Sequence, residues 1–344
     1  MKFRAVRIAS LGYALPDQRV SSLEIEARIE PLYRRLGLSQ GRLELMSGIA
    51  ERRLWPKGTR PSSVASQAGE RALLAAGIDR QRIGLVVHGA VCRDFMEPAT
   101  ASVVHANLGL APEAQAMDLS NACLGFVHAM VHAAGLIEGG FLEAALIVSG
   151  EDGGPLVEET IQYLGRETGI GRKELKAAFS SLTIGSGAVA AVLVRDDSKA
   201  GHRLQGATLR AATQHHELCS GGPQAGSAGP LMETDSEALL EAGIELARET
   251  FERFCTEHGL TSEGVDRFIT HQVGSAHRRM LLQALAIPQG RDFVTYPTLG
   301  NVGSVSLPIT LAMADEAGEV RAGDRVALLG IGSGLACQML DVRW

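Results

Sequence analysis

Residues 118–130 read DLSNACLGFVHAM and place one cysteine, Cys123, between a strand-like run and an apolar helix. We expect the helix to begin at about Ala122, which puts Cys123 in its first turn. Unpaired backbone N–H groups and the positive end of the helix dipole favour a thiolate there. The helix is apolar almost all round, which predicts a central, buried position in which Gly125 lets another backbone approach closely.

A buried cysteine is more often a small packing residue than a nucleophile, so Cys123 needs support from elsewhere. FITHQVG, residues 268–274, ends a strand at His271, and YPTLGNVGS, residues 296–304, puts Asn301 in a glycine-flanked turn before a helix. Each alone is typical of a structural histidine or a turn-forming asparagine. Because all three residues stand at the mouth of an element, together they predict one pocket.

Short β-rich runs alternate with helical stretches, which predicts an α/β protein. Most strands are continuous runs of Val, Ile, Leu and Ala, typical of sheets covered on both faces. The two halves, residues 1–200 and 201–344, share this rhythm, so we expect one compact molecule with pseudo-two-fold symmetry. The glycine-rich residues 219–230 indicate a surface loop. Strands are expected at 3–11, 83–89, 114–119, 144–150, 187–194, 203–212, 266–271, 292–296, 325–330 and 336–342, and helices at 64–76, 123–138, 236–258, 274–286 and 304–317.

The composition limits the classes of function. The chain has 344 residues, 45% of them hydrophobic and 21% charged, with a net charge of −6. This favours a soluble globular protein and argues against a nucleic-acid surface, which is normally basic. The longest apolar run, residues 122–137, is shorter than a membrane span requires, and no signal peptide pattern follows Met1. Five dispersed cysteines without a CxxC pair argue against disulfides, so we expect a cytoplasmic protein.

Other kinds of site find little support. His128 and His132 have the i, i+4 spacing of helical metal ligands, but no third ligand accompanies them, so we predict no metal site. QHHELC, residues 214–219, is equally well explained as a loop between sheet and helix. Gly-Ser-Gly at residues 185–187 lacks the pattern of a hydrolase elbow. The glycine-rich turns match neither GxGxxG nor a P-loop, so no nucleotide cofactor is expected.

Six motifs in one order resemble the ketoacyl synthase III enzymes of the thiolase superfamily. DLSNACLGF resembles their nucleophile motif, THQVG their histidine motif and LGNVGSVSLP their asparagine motif. SGIAERRL at residues 47–54 resembles their TGIRERR segment, and residues 185–194 and 330–340 resemble their two glycine-rich segments. The motifs extend over nearly the whole chain, which makes the resemblance specific.

The resemblance implies a five-layered αβαβα thiolase fold, a homodimer and a Cys–His–Asn site. Cys123 would be acylated by an acyl thioester. His271 and Asn301 would bind the thioester oxygen of the second substrate and stabilise the enolate formed beside Cys123. Charge develops on an oxygen in both half-reactions, and each preorganised donor then contributes about 3 kcal/mol. The oxyanion hole for acyl transfer would consist of backbone N–H groups, those of Cys123, Gly332, Ser333 and Gly334.

One departure from the synthase pattern concerns the second substrate. The loop RDFMEPATAS, residues 93–102, has Glu97 before Pro98, where the family often has phenylalanine. In the family that residue enters the partner subunit's acyl pocket, where an unpaired carboxylate is costly to bury. An enzyme that condenses two non-malonyl thioesters must remove an α-proton, and a glutamate is a suitable base. The alternative is an ordinary surface glutamate in a loop.

A second departure concerns coenzyme A. The family's usual tryptophan and arginine are replaced by Arg42 and Met46, and Ala276 stands where an arginine follows the histidine motif. Arg278 and Arg279 lie close by and would hold phosphates, or else form a solvated helix face.

This pattern is similar to the OleA-type acyl-CoA condensing thiolases. That resemblance implies head-to-head, non-decarboxylative condensation of two fatty acyl-CoAs to a 2-alkyl-3-oxo acid, for olefin, ketone or β-lactone synthesis. Acyl-CoA would be substrate, no separate cofactor would be needed, and enzymes of the downstream pathway would be partners. The second hypothesis is a synthase III that condenses acyl-CoA with malonyl-carrier protein. The third is a non-catalytic thiolase-fold partner subunit.

Overall fold

The computed structural model describes residues 1–166, 169–196, 201–223 and 229–344. The predicted division of the chain after residue 200 falls on residues 197–200, which lie outside the described residues.

The strands of the described part of the chain are numbered in chain order. They are β1 (Val6–Ala14), β2 (Arg19–Ser21), β3 (Glu51–Arg53), β4 (Leu85–Gly89), β5 (Gln115–Leu119), β6 (Ala144–Glu151), β7 (Gly187–Arg195), β8 (His202–Ala211), β9 (Cys219–Pro223), β10 (Pro230–Thr234), β11 (Arg267–Thr270), β12 (Arg325–Gly332) and β13 (Ala336–Arg343).

The α-helices of the same residues include the five that the sequence predicts and seven others. They are α1 (Ser22–Arg28), α2 (Glu30–Arg35), α3 (Arg42–Ser47), α4 (Pro61–Ala76), α5 (Thr100–Leu108), α6 (Gly125–Glu138), α7 (Gly154–Arg166), α8 (Arg172–Ala178), α9 (Ser236–His258), α10 (Ser275–Ala284), α11 (Tyr296–Leu299) and α12 (Ser306–Glu316).

The large sheet repeats one arrangement twice. Its strand order is β11-β12-β13-β8-β1-β7-β6-β4-β5. In the first half β4 is parallel to β5 and β6, and β6, β7 and β1 then pair antiparallel. In the second half β11 is parallel to β12, and β12, β13 and β8 then pair antiparallel. The two halves meet where β1 pairs with β8. This repeat confirms the predicted pseudo-symmetry.

The predicted strand at residues 292–296 is wrong. Only Asp292 pairs, in a single parallel bridge to β11. In the second half of the sheet, β11 is the equivalent of β4, and this bridge lies where β5 pairs with β4 in the first half. The fifth strand of the second half is therefore reduced to one residue. The reason is a contact distant in sequence, since the N–H groups of Thr295 and Tyr296 donate to Oε1 of Gln272, at 3.0 and 3.3 Å, instead of to a neighbouring strand.

The surface loop predicted at residues 219–230 is wrong in part. β9 and β10 pair antiparallel as a two-stranded ribbon, in which Gly221 and Gly222 lie opposite Met232 and Leu231. Residues 224–228 lie outside the described residues. A glycine-rich composition weakens a strand but does not prevent it from pairing when an apolar partner lies alongside.

The buried side chains form layers around the two halves of the sheet. One apolar cluster joins α4 and α5 to the outer face of the first half. A second contains α6 and α12 together with residues of both halves, so these two helices lie in the middle. A third joins α9 and α10 to the outer face of the second half. The order α, β, α, β, α is the five-layered arrangement that the sequence predicts.

No described helix is both long and apolar enough to cross a membrane. Among the described residues, no group of three or more His, Cys, Asp and Glu side chains is arranged to hold a metal ion. Nδ1 of His128 instead lies 2.8 Å from Nδ2 of Asn121, close to the start of α6.

Candidate active site

Cys123 lies in a tight turn between β5 and α6. The N–H of Leu124 donates to the carbonyl of Asn121 at 2.9 Å, and the N–H of Gly125 donates to that of Ala122 at 3.2 Å. Ala122 has a φ of +45°, which L-residues rarely adopt. α6 begins only at Gly125, so Cys123 precedes the first turn of the helix, in which the sequence predicted it.

Two features predicted for α6 are confirmed. A Cβ added at Gly125 would lie 3.0 Å from the backbone carbon of Gly89, so the helix start touches the end of β4 through backbone alone. Phe126, Ala129 and Met130 are at most 1% exposed, which makes the helix central and buried. A rigid, buried helix start holds the neighbouring thiol in one position.

The expected activation of Cys123 as a thiolate is wrong for the resting protein. Burial first, and then the negative charge of Glu151 and the nearby Cys219, raise the pKa of its thiol to about 12. Desolvation of the charged form is the largest effect, and it outweighs what the nearby helix terminus offers the thiolate. The thiol is therefore protonated in this structure at neutral pH.

His271 follows directly after β11 and is 3% exposed. Its N–H donates to the carbonyl of Leu329 in β12 at 2.9 Å, which fixes the backbone at this point. Burial, and then the neighbouring His277, lower the pKa of His271 to about 3. Its Nδ1 is buried and has no hydrogen-bond partner among the described residues. The imidazole is thus neutral and can offer a hydrogen bond without adding a positive charge.

Asn301 is held by its backbone and by its side chain. Its N–H donates to Thr183 at 3.0 Å and its carbonyl accepts from Gly185 at 2.9 Å, which joins the asparagine turn to the glycine-rich segment 185–194. Its Oδ1 accepts from the N–H of Gly303 at 3.1 Å and from Oγ of Ser306 at 3.3 Å. A backbone N–H can only donate, so the amide oxygen of Asn301 must face the N–H of Gly303. The Nδ2 group, with its two donors, therefore faces away from Gly303.

β12 brings the cysteine and histidine segments together. A Cβ at Gly330 would lie 2.6 Å from the Leu124 side chain, and one at Gly332 would lie 3.6 Å from the backbone nitrogen of Cys123. The strand that accepts the backbone hydrogen bond of His271 therefore ends beside the nucleophile. Of the predicted oxyanion residues, the structure places Gly332 against Cys123. Ser333 and Gly334 follow in the turn to β13.

Glu97 is exposed at the tip of the loop at residues 91–98 and lies outside the buried core of the chain. The base of the loop is anchored, since Asp94 accepts from the N–H and the hydroxyl of Ser62 at 2.8 and 2.6 Å. The tip is apolar beside Glu97, where Met96 is 97% exposed. The loop is therefore an anchored arm with an uncovered end.

The two candidate phosphate ligands differ. Nε of Arg278 lies 2.6 Å from Oδ2 of the buried Asp292, so this guanidinium already has an ionic partner in its own chain. Arg279 is exposed on α10. Arg279 is the better placed of the two to meet a phosphate.

Sequence reasoning missed Glu151, the last residue of β6. It is 4% exposed and accepts hydrogen bonds from both the loop at residues 91–98 and the segment that follows Asn301. Its carboxylate also acts on the pKa of Cys123. A signal was present, because a charged residue ends the otherwise apolar run ALIVSGE at residues 145–151.

Comparisons with known proteins extend over the same segments. Profiles of two families match: 3-oxoacyl-[acyl-carrier-protein] synthase III over residues 117–212, and its C-terminal counterpart over residues 255–344. The chain is 42% identical to the acyl-CoA:acyl-CoA alkyltransferase of Shewanella oneidensis and 36% identical to that of Xanthomonas campestris, with all of both chains covered in each case. It is 28% identical to the β-ketoacyl synthase III of Laribacter hongkongensis over 96% of each chain.

Solved structures show the same fold. A crystal structure of cerulenin-bound Xanthomonas campestris OleA superposes with a TM-score of 0.95 at 36% identity, covering 100% of this chain and 98% of that one. Structures of the same OleA carry single substitutions of a cysteine, a glutamate or a histidine. These similarities confirm the predicted thiolase fold and an acyltransferase enzyme.

Proposed function

The chain belongs to the acyl-CoA:acyl-CoA alkyltransferase family that includes OleA, and from this premise we propose that it condenses two fatty acyl-CoAs without decarboxylation. The product is a 2-alkyl-3-oxo acid. The observation that carries the proposal is the 42% identity to such an enzyme over the whole chain, with all six motifs in place. The reaction consumes acyl-CoA as its substrate and calls for no separate cofactor.

In the first half-reaction the thiol of Cys123 attacks the thioester carbon of one acyl-CoA. The N–H groups of Cys123 and of the segment that begins at Gly332 stabilise the oxyanion. Coenzyme A leaves with the proton of the thiol, so a thiol is exchanged for a thiol and no net charge is created. This balance suits a cysteine whose pKa is about 12, because a stable thiolate is never needed.

In the second half-reaction another acyl-CoA binds beside the acylated cysteine. The neutral His271 and the Nδ2 group of Asn301 donate to its thioester oxygen. Glu97 from the partner subunit removes the α-proton, and the resulting enolate attacks the acyl-cysteine carbonyl. A carbon–carbon bond forms, the sulfur of Cys123 leaves and takes back the proton held by Glu97, and water hydrolyses the remaining thioester to the acid and free coenzyme A.

The arm at residues 91–98 supports a homodimer. Glu97 and Met96 project from an anchored base, and the neighbouring β5 is the last strand at one end of the sheet. An end strand with an exposed apolar arm beside it is suited to pair with a second copy of the chain. We propose that the dimer functions in the cytoplasm, where acyl-CoA and the enzymes that use the product would be found.

One experiment tests this function. The protein is incubated with a long-chain acyl-CoA alone, and free coenzyme A and a β-keto acid, or the ketone formed from it, are measured by mass spectrometry. Product without any malonyl thioester is expected. A strict requirement for malonyl-carrier protein would instead identify a decarboxylative synthase III, which the matching family profiles favour as the second candidate. Failure of Cys123 to become acylated would leave only the non-catalytic partner subunit.

A further inference from the structure

Glu151 is a buried carboxylate with several donors. Its Oε1 accepts from the N–H of Val91 at 2.9 Å and from the N–H and hydroxyl of Ser304 at 3.3 and 2.7 Å. Its Oε2 accepts from the N–H of Cys92 at 3.0 Å. A carboxylate is the side chain that can accept at both oxygens at once, and these contacts compensate for its burial.

These donors come from two parts of the site that are distant in sequence. Val91 and Cys92 begin the arm that ends in Glu97. Ser304 comes three residues after Asn301 and two residues before the buried start of α12. A Cβ at Gly303 would lie 3.1 Å from Oε1 of Glu151, so the asparagine turn packs directly on the carboxylate.

Glu151 also acts on the nucleophile. Its negative charge is the largest cause, after burial, of the raised pKa of the Cys123 thiol. The same charge raises the pKa of Cys92 and acts on the buried His88. The carboxylate therefore lies close enough to Cys123 to affect its charge state, while its hydrogen bonds hold the other two segments.

We propose that Glu151 is a positioning residue for condensation, which fixes the arm carrying Glu97 and the turn carrying Asn301 relative to one another beside Cys123. The inference rests on the proposed function for the roles of Glu97 and Asn301. Acylation of Cys123 needs neither of these residues, whereas carbon–carbon bond formation needs both. Weakening the hydrogen bonds of Glu151 must therefore slow the second half-reaction more than the first.

The test separates the two half-reactions in the Glu151→Gln variant of the full chain. Glutamine keeps the shape, removes the charge and turns an N–H₂ group towards one of the backbone donors. We expect the burst of coenzyme A released from palmitoyl-CoA to stay within about threefold of wild type, and β-keto acid formation to fall at least about tenfold. We also expect iodoacetamide to alkylate Cys123 faster at a fixed pH of about 8, because the neighbouring negative charge is gone.

Two further variants keep the outcome unambiguous. Ser304→Ala removes one hydrogen-bond donor to Glu151 and replaces Glu151→Gln in the test if that variant does not fold. We expect Ser304→Ala to lower the rate of condensation and to leave the alkylation of Cys123 unchanged. Glu26→Gln is the matched control, since Glu26 is 0% exposed and accepts from the N–H groups of Gly41 and Leu43 at 2.5 and 2.6 Å. It should lower stability without altering the ratio of condensation to acylation.

The proposal is overturned if acylation and condensation fall together in Glu151→Gln, or if neither falls, or if alkylation of Cys123 is unchanged. Failure of the proposed function would look different. In that case wild type itself forms no β-keto acid from palmitoyl-CoA alone. The ratio of condensation to acylation is then measured with malonyl-carrier protein as the second substrate. The alkylation comparison holds in either case.

Discussion

The side chains of the site are kept uncharged where charge would interfere with binding a thioester. The Cys123 thiol and the His271 imidazole are both neutral because burial penalises their ionised forms. A neutral imidazole donates to a carbonyl oxygen without holding the later enolate too tightly. The sequence predicts both residues as members of the site but assigns Cys123 the opposite charge preference, since burial depends on layers of the fold that the local sequence does not contain.

The buried histidine makes stability depend on pH. Burial lowers the pKa of His271 to about 3, whereas in the unfolded chain it is near 6.5. The unfolded state therefore binds more protons below about pH 6.5, and the contribution of the neutral imidazole is lost as pH falls towards 3. When the pH is lowered from 7 to 5, the free energy of unfolding of His271→Asn should fall by about 2 kcal/mol less than that of wild type.

Urea denaturation at the two pH values measures this difference. The exposed His216→Asn variant serves as the control, and its free energy of unfolding should fall by as much as that of wild type between the two pH values. An identical loss in His271→Asn and wild type would show that the imidazole is not buried in neutral form.

At the scale of single elements, the turn before α6 stores strain next to the nucleophile. Ala122 has a φ of +45°, where a β-branched side chain clashes with its own backbone. Ala122→Val should lower the free energy of unfolding by about 1–2 kcal/mol and slow acylation, because the turn must open to relieve the clash. Ala122→Gly should be neutral or stabilising by up to about 1 kcal/mol.

The matched control for this turn is Ala106→Gly on the exposed side of α5, where the same substitution should cost about 1 kcal/mol of helix propensity. Thermal and urea unfolding compare the two glycine variants. If Ala122→Gly destabilises as much as Ala106→Gly, the turn does not hold Ala122 in the left-handed region.

Elements with complete local signals were the ones predicted well. α9 has the predicted bounds, 236–258, because Asp235 caps its start by accepting from Ala238, and Gly259, with a φ of +62°, ends it. The segment at residues 292–296 failed because Gln272, distant in sequence, takes its backbone donors. α6 starts three residues later than expected, since the chain first makes a tight turn at Ala122, whose φ is +45°.

At the scale of the whole molecule, the duplicated topology explains where the site residues come from. Cys123 precedes α6 and Asn301 precedes α12, the two equivalent central helices. The arm with Glu97 follows β4 and His271 follows β11, the two equivalent strands. The motif order predicts one pocket for these residues, but it could not reveal Glu151, whose proposed role depends on donors contributed by both halves.

Mixing of subunits tests whether Glu97 acts across a dimer. Glu97→Gln should be acylated but should not condense, and Cys123→Ala should do neither. When the two are unfolded, mixed in equal amounts and refolded together, about half of the dimers are hybrids with one complete site, so condensation should return to about a quarter of wild type. No recovery in the mixture, with both variants dimeric by size-exclusion chromatography, would place the base within its own subunit.

If Glu97 acts across the proposed homodimer, the exposed arm at residues 91–98 also makes turnover depend on dilution. A chain that borrows its base from a neighbour can load its cysteine alone but can complete the product only while paired. As the protein is diluted below the dissociation constant of the dimer, acylation per chain stays constant while condensation per chain falls in proportion to the paired fraction. A cell that makes little of the protein would therefore accumulate acylated chains instead of product.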